Sequence, residues 1–320
     1  MAKMTPEFNL IDRFFNRSSP HTDLGIGDDA ALVSVSSGQQ LAISTDMLVS
    51  DKHFFADADP YSIGWKSLAV NISDMAAMGA LAKWVTLAIS IPEINKPWLE
   101  AFSNGFFACA EAFNIALIGG DTTRGPLTIS VTIIGEVPNH QAITRAGALD
   151  EEDIWVSGNL GSAALGLAYL QGKISLIETD RIAPLNALHQ PKPRLRLGLA
   201  LRGVASSCID ISDGLIADLG HILKASHVGA HLKYEAMPVI SVIQSRLQEP
   251  LVQQCILAGG DDYELCFTAP KNQRNTIISL SQELETPITL IGKTTLLPEL
   301  VVYYHDKILT QTLQGFDHFA

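Results

Sequence analysis

The stretch Ile209-Asp210-Ile211-Ser212-Asp213-Gly214-Leu215-Ile216-Ala217-Asp218-Leu219-Gly220-His221-Ile222 changes its hydrophobic period part-way along. Ile209 and Ile211 alternate with polar residues, as in the end of a strand. From Leu215 the period becomes helical, and Leu215, Ile216, Leu219, Ile222 and Leu223 share one face of a helix that runs to Ala225. Ser212 or Asp213 is placed to cap its first turn. A strand that runs through an acidic turn into a helix is the unit of an alternating α/β chain.

Working outward, the same alternation recurs. Gln40–Ser44 reads as a short strand, and Tyr61–Ala80 places Ile63, Leu68, Ile72, Met75, Ala76 and Gly79 near helical spacing. Trp98–Phe113 is again helical, Ala116–Gly119 a short buried strand, and Thr128–Val137 a half-buried strand. Around Pro138–Asp150 the pattern weakens into Pro, Asn, His, Gln and Gly. A new strand begins at Asp153-Ile154-Trp155-Val156, and a Gly-rich turn then leads into a helix over Ser162–Leu170. The expectation is an α+β protein of two mixed α/β domains, residues 1–138 and 139–320.

At 320 residues and 47% apolar the chain can bury a substantial core. Its formal net charge of -12 excludes a nucleic-acid or anionic-membrane partner as the first reading, since both need a field of Lys and Arg. An acidic protein can still bind phosphates through a divalent cation clamped between carboxylates and phosphate oxygens. Cys109, Cys208, Cys255 and Cys266 lie in apolar surroundings without a CxxC pair or zinc spacing, so they read as buried, reduced thiols. Met1–Phe15 mixes Glu7, Asp12 and Arg13 into its apolar residues, and no apolar run is long enough to span a bilayer, so a cytoplasmic location is the default expectation.

Two familiar nucleotide signatures fail on inspection. Gly25-Ile26-Gly27-Asp28-Asp29-Ala30 fits the letters of a dinucleotide fingerprint, but no convincing strand precedes it and its two acids would face pyrophosphate with like charge. Gly292-Lys293-Thr294 ends like a phosphate loop, yet Pro287 stands where that loop needs glycine, and it reads as a strand-end turn.

What remains is a series of aspartates where strands stop or turns begin: Gly27-Asp28-Asp29-Ala30, Ser44-Thr45-Asp46, Asn71-Ile72-Ser73-Asp74, Gly119-Gly120-Asp121 and Asp210-Ile211-Ser212-Asp213. Each alone is explained by a cap or turn. Asp74 is the hardest to explain so, because it interrupts an apolar helical pattern where an unpaired carboxylate is costly. Together the acids suit several Mg2+ ions, each held by one or two carboxylates plus substrate phosphates, with Ser44 and Thr45 able to complete the shells. Glycines such as Gly119 and Gly120 let backbone N–H groups approach phosphate oxygens, and Arg145 at the boundary can add a cation. Gly259-Gly260-Asp261-Asp262-Tyr263-Glu264 and Gly315-Phe316-Asp317-His318-Phe319 could be simple turns. The nine histidines form no metal motif; His227 and His231 read as surface residues, and His53, shortly after Asp46, is the one to keep.

The ordered set GIGDDAA, AISTDML, AVNISDMAAMGA, LIGGDTTRGPL, IDISDGLIADLGHI, GGDDYELCF and GFDHF closely resembles the thiamine-monophosphate kinase family, part of the aminoimidazole ribonucleotide synthetase-like superfamily. The resemblance runs from about Phe8 to the last residues. It implies two domains of that superfamily's type: an N-terminal ATP/magnesium-binding and dimerisation domain, and a C-terminal domain completing the metal, ATP and substrate sites. It implies transfer of the ATP γ-phosphate to thiamine monophosphate, with several Mg2+ ions and a homodimer. Position by position, it places metal ligands on Asp29, Ser44, Thr45, Asp46, Asp74, Asp121, Asp210 and Asp213, of which Asp46, Asp74, Asp121 and Asp210 are the catalytic set. ATP contacts fall on Gly120, Asp121, Arg145 and Ser212, and thiamine-phosphate contacts on His53, Asp261 and Phe316. A glutamate is commoner in the family at Asp261, and a tyrosine or tryptophan frequent at Phe316; charge and aromatic face are kept. A synthetase-like ligase or a selenophosphate synthetase-like enzyme is disfavoured, since no catalytic Cys/Lys or selenocysteine-type pair lies near the N-terminus. Retention of the whole acidic set argues against a non-catalytic metal- or nucleotide-binding protein.

Overall fold

The computed structural model describes residues 6–17 and 21–309. The chain divides into two compact units. One comprises residues up to Met75 together with Ala80–His140, and the other Ala76–Gly79 together with the residues from Gln141 onward.

The first unit contains α1 (Pro6–Phe14), β1 (Gln39–Val49), α2 (Pro60–Ala77, whose last two residues cluster with the second unit), β2 (Leu81–Ile91), α3 (Lys96–Phe113), β3 (Ala116–Arg124) and β4 (Thr128–Pro138). Its sheet has the order β1-β4-β2-β3, antiparallel except for the parallel β2–β3 pair. β2 has no counterpart in the sequence reading, yet it is a central strand, and Trp84, Val85, Leu87 and Ile89 on it are buried. Helices α2 and α3 approach each other backbone to backbone: a Cβ on Gly64 would lie 2.0 Å from the Phe102 carbonyl oxygen, and one on Gly105 1.8 Å from that of Tyr61. Asn95 caps α3, its side chain accepting from the Trp98 N–H at 3.2 Å. On the other face of the sheet Trp84, Ala116 and Ile118 are covered by Ala31 and Val33.

The second unit contains β5 (Asp153–Ser157), α4 (Ser162–Leu170), α5 (Glu178–His189), α6 (Leu195–Ala200), β6 (Ser207–Asp210), α7 (Leu215–Ser226), β7 (Gly229–Lys233), α8 (Ser241–Gln244), α9 (Pro250–Ala258), β8 (Leu265–Ala269), α10 (Arg274–Glu283), β9 (Ile288–Thr295), β10 (Leu300–Tyr304) and β11 (Lys307–Ile308). Its seven-stranded sheet has the order β11-β10-β7-β9-β5-β8-β6, with β10–β7 parallel and the other pairs antiparallel. Alternation on β5 feeds two cores. Ile154 and Val156 pack with Leu215, Leu219 and Ile222 of α7, whereas Trp155 packs with Leu197, Phe267 and Ile277.

Three local expectations are corrected. Gly292-Lys293-Thr294 lies inside β9 rather than in a strand-end turn, and glycine is required because a Cβ at 292 would sit 2.2 Å from the His231 carbonyl of β7. Asp46 and Asp121 lie within strands, not where strands stop; β1 and β3 are the two edges of their sheet, where polar side chains need not be buried. The cap of α7 is Gly214, with no side-chain cap bond, and neither Ser212 nor Asp213 performs that role.

Candidate active-site residues

In the first unit the elements bring Ser44, Asp46, Asn71 and Asp74 together. Alternation on β1 turns Ser44 and Asp46 to the same face, towards α2. Ser44 Oγ donates to Asp74 Oδ2, and the Asp46 N–H donates to Asn71 Oδ1 at 3.2 Å. Asn71 is itself held by its amide donating to the Ser67 carbonyl at 3.0 Å. Burial, and after it the negative charge of Asp74, push the Asp46 carboxyl up to about 7. Two half-buried carboxylates held close together fit a cation, whose charge removes the repulsion that raises Asp46. The donor set is all oxygen, which suits Mg2+.

The neighbouring candidates lie around this pair. Thr45 points to the opposite face of the strand, its Oγ1 2.9 Å from Thr132 Oγ1, so its hydroxyl does not join those of Ser44 and Asp46. Across the sheet, Asp46 stands in one row with Val131, Leu87 and Gly120, and Asp121 in the next row with Ala88 and Ser130. Gly120, at φ +152°, is fixed as glycine because a Cβ would lie 1.8 Å from the Leu87 carbonyl oxygen. Asp29 is exposed, its N–H donating to Asp28 Oδ1 at 2.9 Å. The Val49 N–H donates to His53 Nδ1 at 3.0 Å, which assigns the proton of the neutral ring to Nε2. Among the described residues no group of three or more His, Cys, Asp or Glu side chains has metal-holding geometry. One carboxylate pair, Asp46 and Asp74, with the Ser44 hydroxyl beside it is what this unit offers a cation.

In the second unit Asp210 ends β6 and Asp213 lies in the loop before α7. Both edges of the loop are held by backbone bonds to the Gly259–Glu264 segment: Ile211 N–H to the Glu264 carbonyl, Asp261 N–H to the Ser212 carbonyl and Tyr263 N–H to the Ile211 carbonyl, each at 2.8 Å. Asp261 and Tyr263 have φ of +69° and +48°, an arrangement that costs energy in a non-glycine residue and is found at sites where geometry is over-determined. The Tyr263 hydroxyl donates to Asp261 Oδ1 at 3.0 Å. Arg145 is exposed in the β4–β5 connection, and its carbonyl accepts from Ser226 Oγ. Phe316 lies outside the described residues.

Sequence reasoning missed the groups that hold this loop. Asp218, four residues into α7, takes three backbone N–H groups on one oxygen. Glu264 forms a two-pronged ion pair with Arg194, whose Nε lies 2.6 Å from Oε2. Asp262 accepts from the Gly161 N–H at the start of α4 at 2.8 Å, and burial raises its carboxyl well above the usual range. A signal was present for Asp218: it lies three residues from Leu215 and four from Ile222, on the buried face of its helix.

These placements can be set beside known proteins. Residues 27–137 match the family described as AIR synthase related protein, N-terminal domain, and residues 147–305 match its C-terminal domain. The chain is 44% identical to a thiamine-monophosphate kinase of Salmonella typhimurium over 319 residues, covering 98% of each chain. The chain belongs to the thiamine-monophosphate kinase family. Its fold is similar to that of a thiamine-monophosphate kinase from Stenotrophomonas maltophilia K279a, with a TM-score of 0.85 and 44% identity over 94% of this chain and 96% of that one. It is also similar to AaThiL complexed with AMPPCP and TMP, with a TM-score of 0.78 and 29% identity over 92% of each chain. No helix among the described residues is long and apolar enough to cross a membrane.

Proposed function

We propose that the acidic residues located above carry out ATP-dependent phosphorylation of thiamine monophosphate, the reaction of the family to which the chain belongs, giving thiamine diphosphate and ADP. The observation that carries the site assignment is the Asp46–Asp74 pair, where a half-buried carboxyl is pushed up to about 7 beside a second acid. Mg2+ bound there would supply positive charge to the β- and γ-phosphates and to the incoming phosphate. On this reading Asp46 and Asp74 are principal ligands, Ser44 orients Asp74, and Asp29, Asp121, Asp210 and Asp213 complete the ion set, whereas the Thr45 hydroxyl, turned to the other face of β1, stands outside it. Gly120, Asp121, Arg145 and Ser212 hold ATP. His53, Asp261 and Phe316 hold thiamine monophosphate, Asp261 with its carboxylate oriented by the Tyr263 hydroxyl.

The acceptor is a phosphate oxygen that is already anionic at neutral pH, so no side chain need act as general base. The difficulty is repulsion between two phosphate groups, which side chains meet by fixing in-line geometry and by binding neutralising cations. Transfer is direct, without a phosphoenzyme. The exposed outer face of edge strand β1, with Leu41, Ile43 and Met47, favours a homodimer built through the first unit, and a cytoplasmic location accords with the substrates.

Incubation of the protein with ATP, Mg2+ and either thiamine monophosphate or free thiamine tests the assignment. Thiamine diphosphate is expected from the monophosphate alone. Absence of product from the monophosphate overturns the kinase reading, and a kinetically competent labelled phosphoprotein overturns direct transfer.

A further inference from the structure

We propose that Asp218 is the positioning residue of the Asp210–Gly214 loop, gathering its N–H groups inward so that the Ser212 and Asp213 side chains are presented outward. This rests on the reading above, in which Ser212 meets ATP and Asp213 a metal ion.

One carboxylate oxygen, Asp218 Oδ2, accepts from the N–H of Ser212 at 3.0 Å, Asp213 at 3.0 Å and Gly214 at 3.1 Å. Three successive amides converging on one point form a backbone nest, the arrangement that elsewhere binds free anions. Here the chain fills the nest with its own carboxylate, which is 3% exposed. The position of Asp218 in the first turn of α7 adds the favourable end of the helix dipole. The opposite edge of the loop is occupied as well, because the Ile211 and Ser212 carbonyls accept from Tyr263 and Asp261. Gly214, at φ +112°, completes the turn where a Cβ would meet the Ala258 backbone at 2.7 Å. With N–H groups drawn one way and carbonyls the other, the partly exposed Ser212 and Asp213 side chains are what the loop offers to a ligand. A carboxylate in place of an external anion also keeps the nest from competing for phosphate.

The test uses the full chain. Amide exchange in the ligand-free wild-type protein should show Ser212, Asp213 and Gly214 protected although they lie in a loop; exchange at open-loop rates overturns the proposal before any variant is made. In Asp218→Ala these three amides should exchange at least about tenfold faster, with Cys208–Asp210 unchanged. Binding of a non-hydrolysable ATP analogue with Mg2+ should weaken by about tenfold or more, and the KM for thiamine monophosphate should move much less. Asp218→Asn, which keeps an acceptor oxygen of the same reach, should recover most of both losses. Leu223→Ala, a core truncation in the same helix, should lose stability yet bind the nucleotide as wild type does. A folded Asp218→Ala protein with wild-type nucleotide binding, or a parallel loss in Leu223→Ala, overturns the positioning role. If Asp213→Ala also leaves binding intact while the amide effect of Asp218→Ala persists, the assignment of Asp213 fails and the hold on the loop stands.

Discussion

Each unit holds a carboxyl pushed up to about 7, half-buried Asp46 in one and buried Asp218 in the other, and the two differ in the hydrogen-bond donors that meet them. Asp46 faces Asp74, so burial and a like charge act together. Asp218 is raised by burial and also by the like charge of Asp213, but it meets three backbone N–H donors that pull it back down. In the first arrangement the repulsion between two acids persists until a cation arrives, whereas in the second the chain's own N–H groups hold the carboxylate. Equal shifts therefore mark a ligand-binding group in one unit and a scaffold group in the other.

The sharpest way to break this comparison is to delete the groups and read activity and stability separately. Asp46→Ala and Asp74→Ala should each lower kcat by at least roughly 10²–10³, the scale of losing one preorganised electrostatic group. Near-wild-type turnover of either variant at limiting Mg2+ removes that residue from the ligand set. Without Mg2+, Asp46→Asn should raise the unfolding midpoint, because it removes a like-charge repulsion. Asp218→Ala should lower it, because three N–H groups lose their acceptor at about 1–3 kcal/mol for each that stays buried. Thermal unfolding in chelator measures both, and shifts of the same sign would mean the two carboxylates do the same job.

The Arg194–Glu264 pair sharpens the scaffold side. Glu264 is buried and also accepts from Ser157 Oγ, which in turn accepts from the Leu265 N–H at 2.9 Å, so the ion pair anchors the segment bearing Asp261. Arg194→Met should destabilise the protein by about 3–5 kcal/mol by leaving a buried charge without its partner. Denaturant unfolding checks this, and a loss below about 1 kcal/mol would place Glu264 in effective contact with water.

What the sequence revealed follows the range of the interaction. The helices around Leu68 and Leu219 and the strand at Thr128 were legible because their signals are local and periodic. β2 was missed although Val85–Ile91 alternates, because irregular pairing between Ala82 and Thr86 shifts the phase and puts the buried Ala82 and Trp84 out of step with Val85, Leu87 and Ile89. The site was legible as a motif series, and its residues divide into those that the fold gathers, such as Ser44, Asp46 and Asp74, and those that it leaves apart, such as Thr45. The partners of Glu264 and Asp262 lie 70 and 101 residues away in the chain, beyond any periodicity. Asp218 has no role in the sequence reading, although its place on the apolar face of its helix is a clue.

The smallest expected effect separates the two carboxyls by pH. Asp46 and Asp218 both have folded-state values near 7 against 3.8 for an unperturbed aspartate, so between about pH 4 and 7 the folded protein binds more protons than the unfolded chain. Stability of the metal-free protein therefore falls as pH rises through that window. Glu151, held down to about 2 by Lys293 and Lys271, acts with the opposite sign, its contribution being lost as pH falls, so it cannot supply a loss of stability with rising pH. Unfolding midpoints at pH 5 and pH 7.5 should accordingly differ by less in Asp46→Asn and in Asp218→Asn than in wild type. Mg2+ then distinguishes them, because an ion displaces the proton at the Asp46–Asp74 pair and has no place in the filled nest around Asp218. Adding Mg2+ at pH 7.5 should raise the midpoint of wild type and of Asp218→Asn, with a clearly smaller rise in Asp46→Asn. An equal Mg2+ response in Asp46→Asn would show that the ion binds elsewhere and that Asp46 is raised for a purely structural reason.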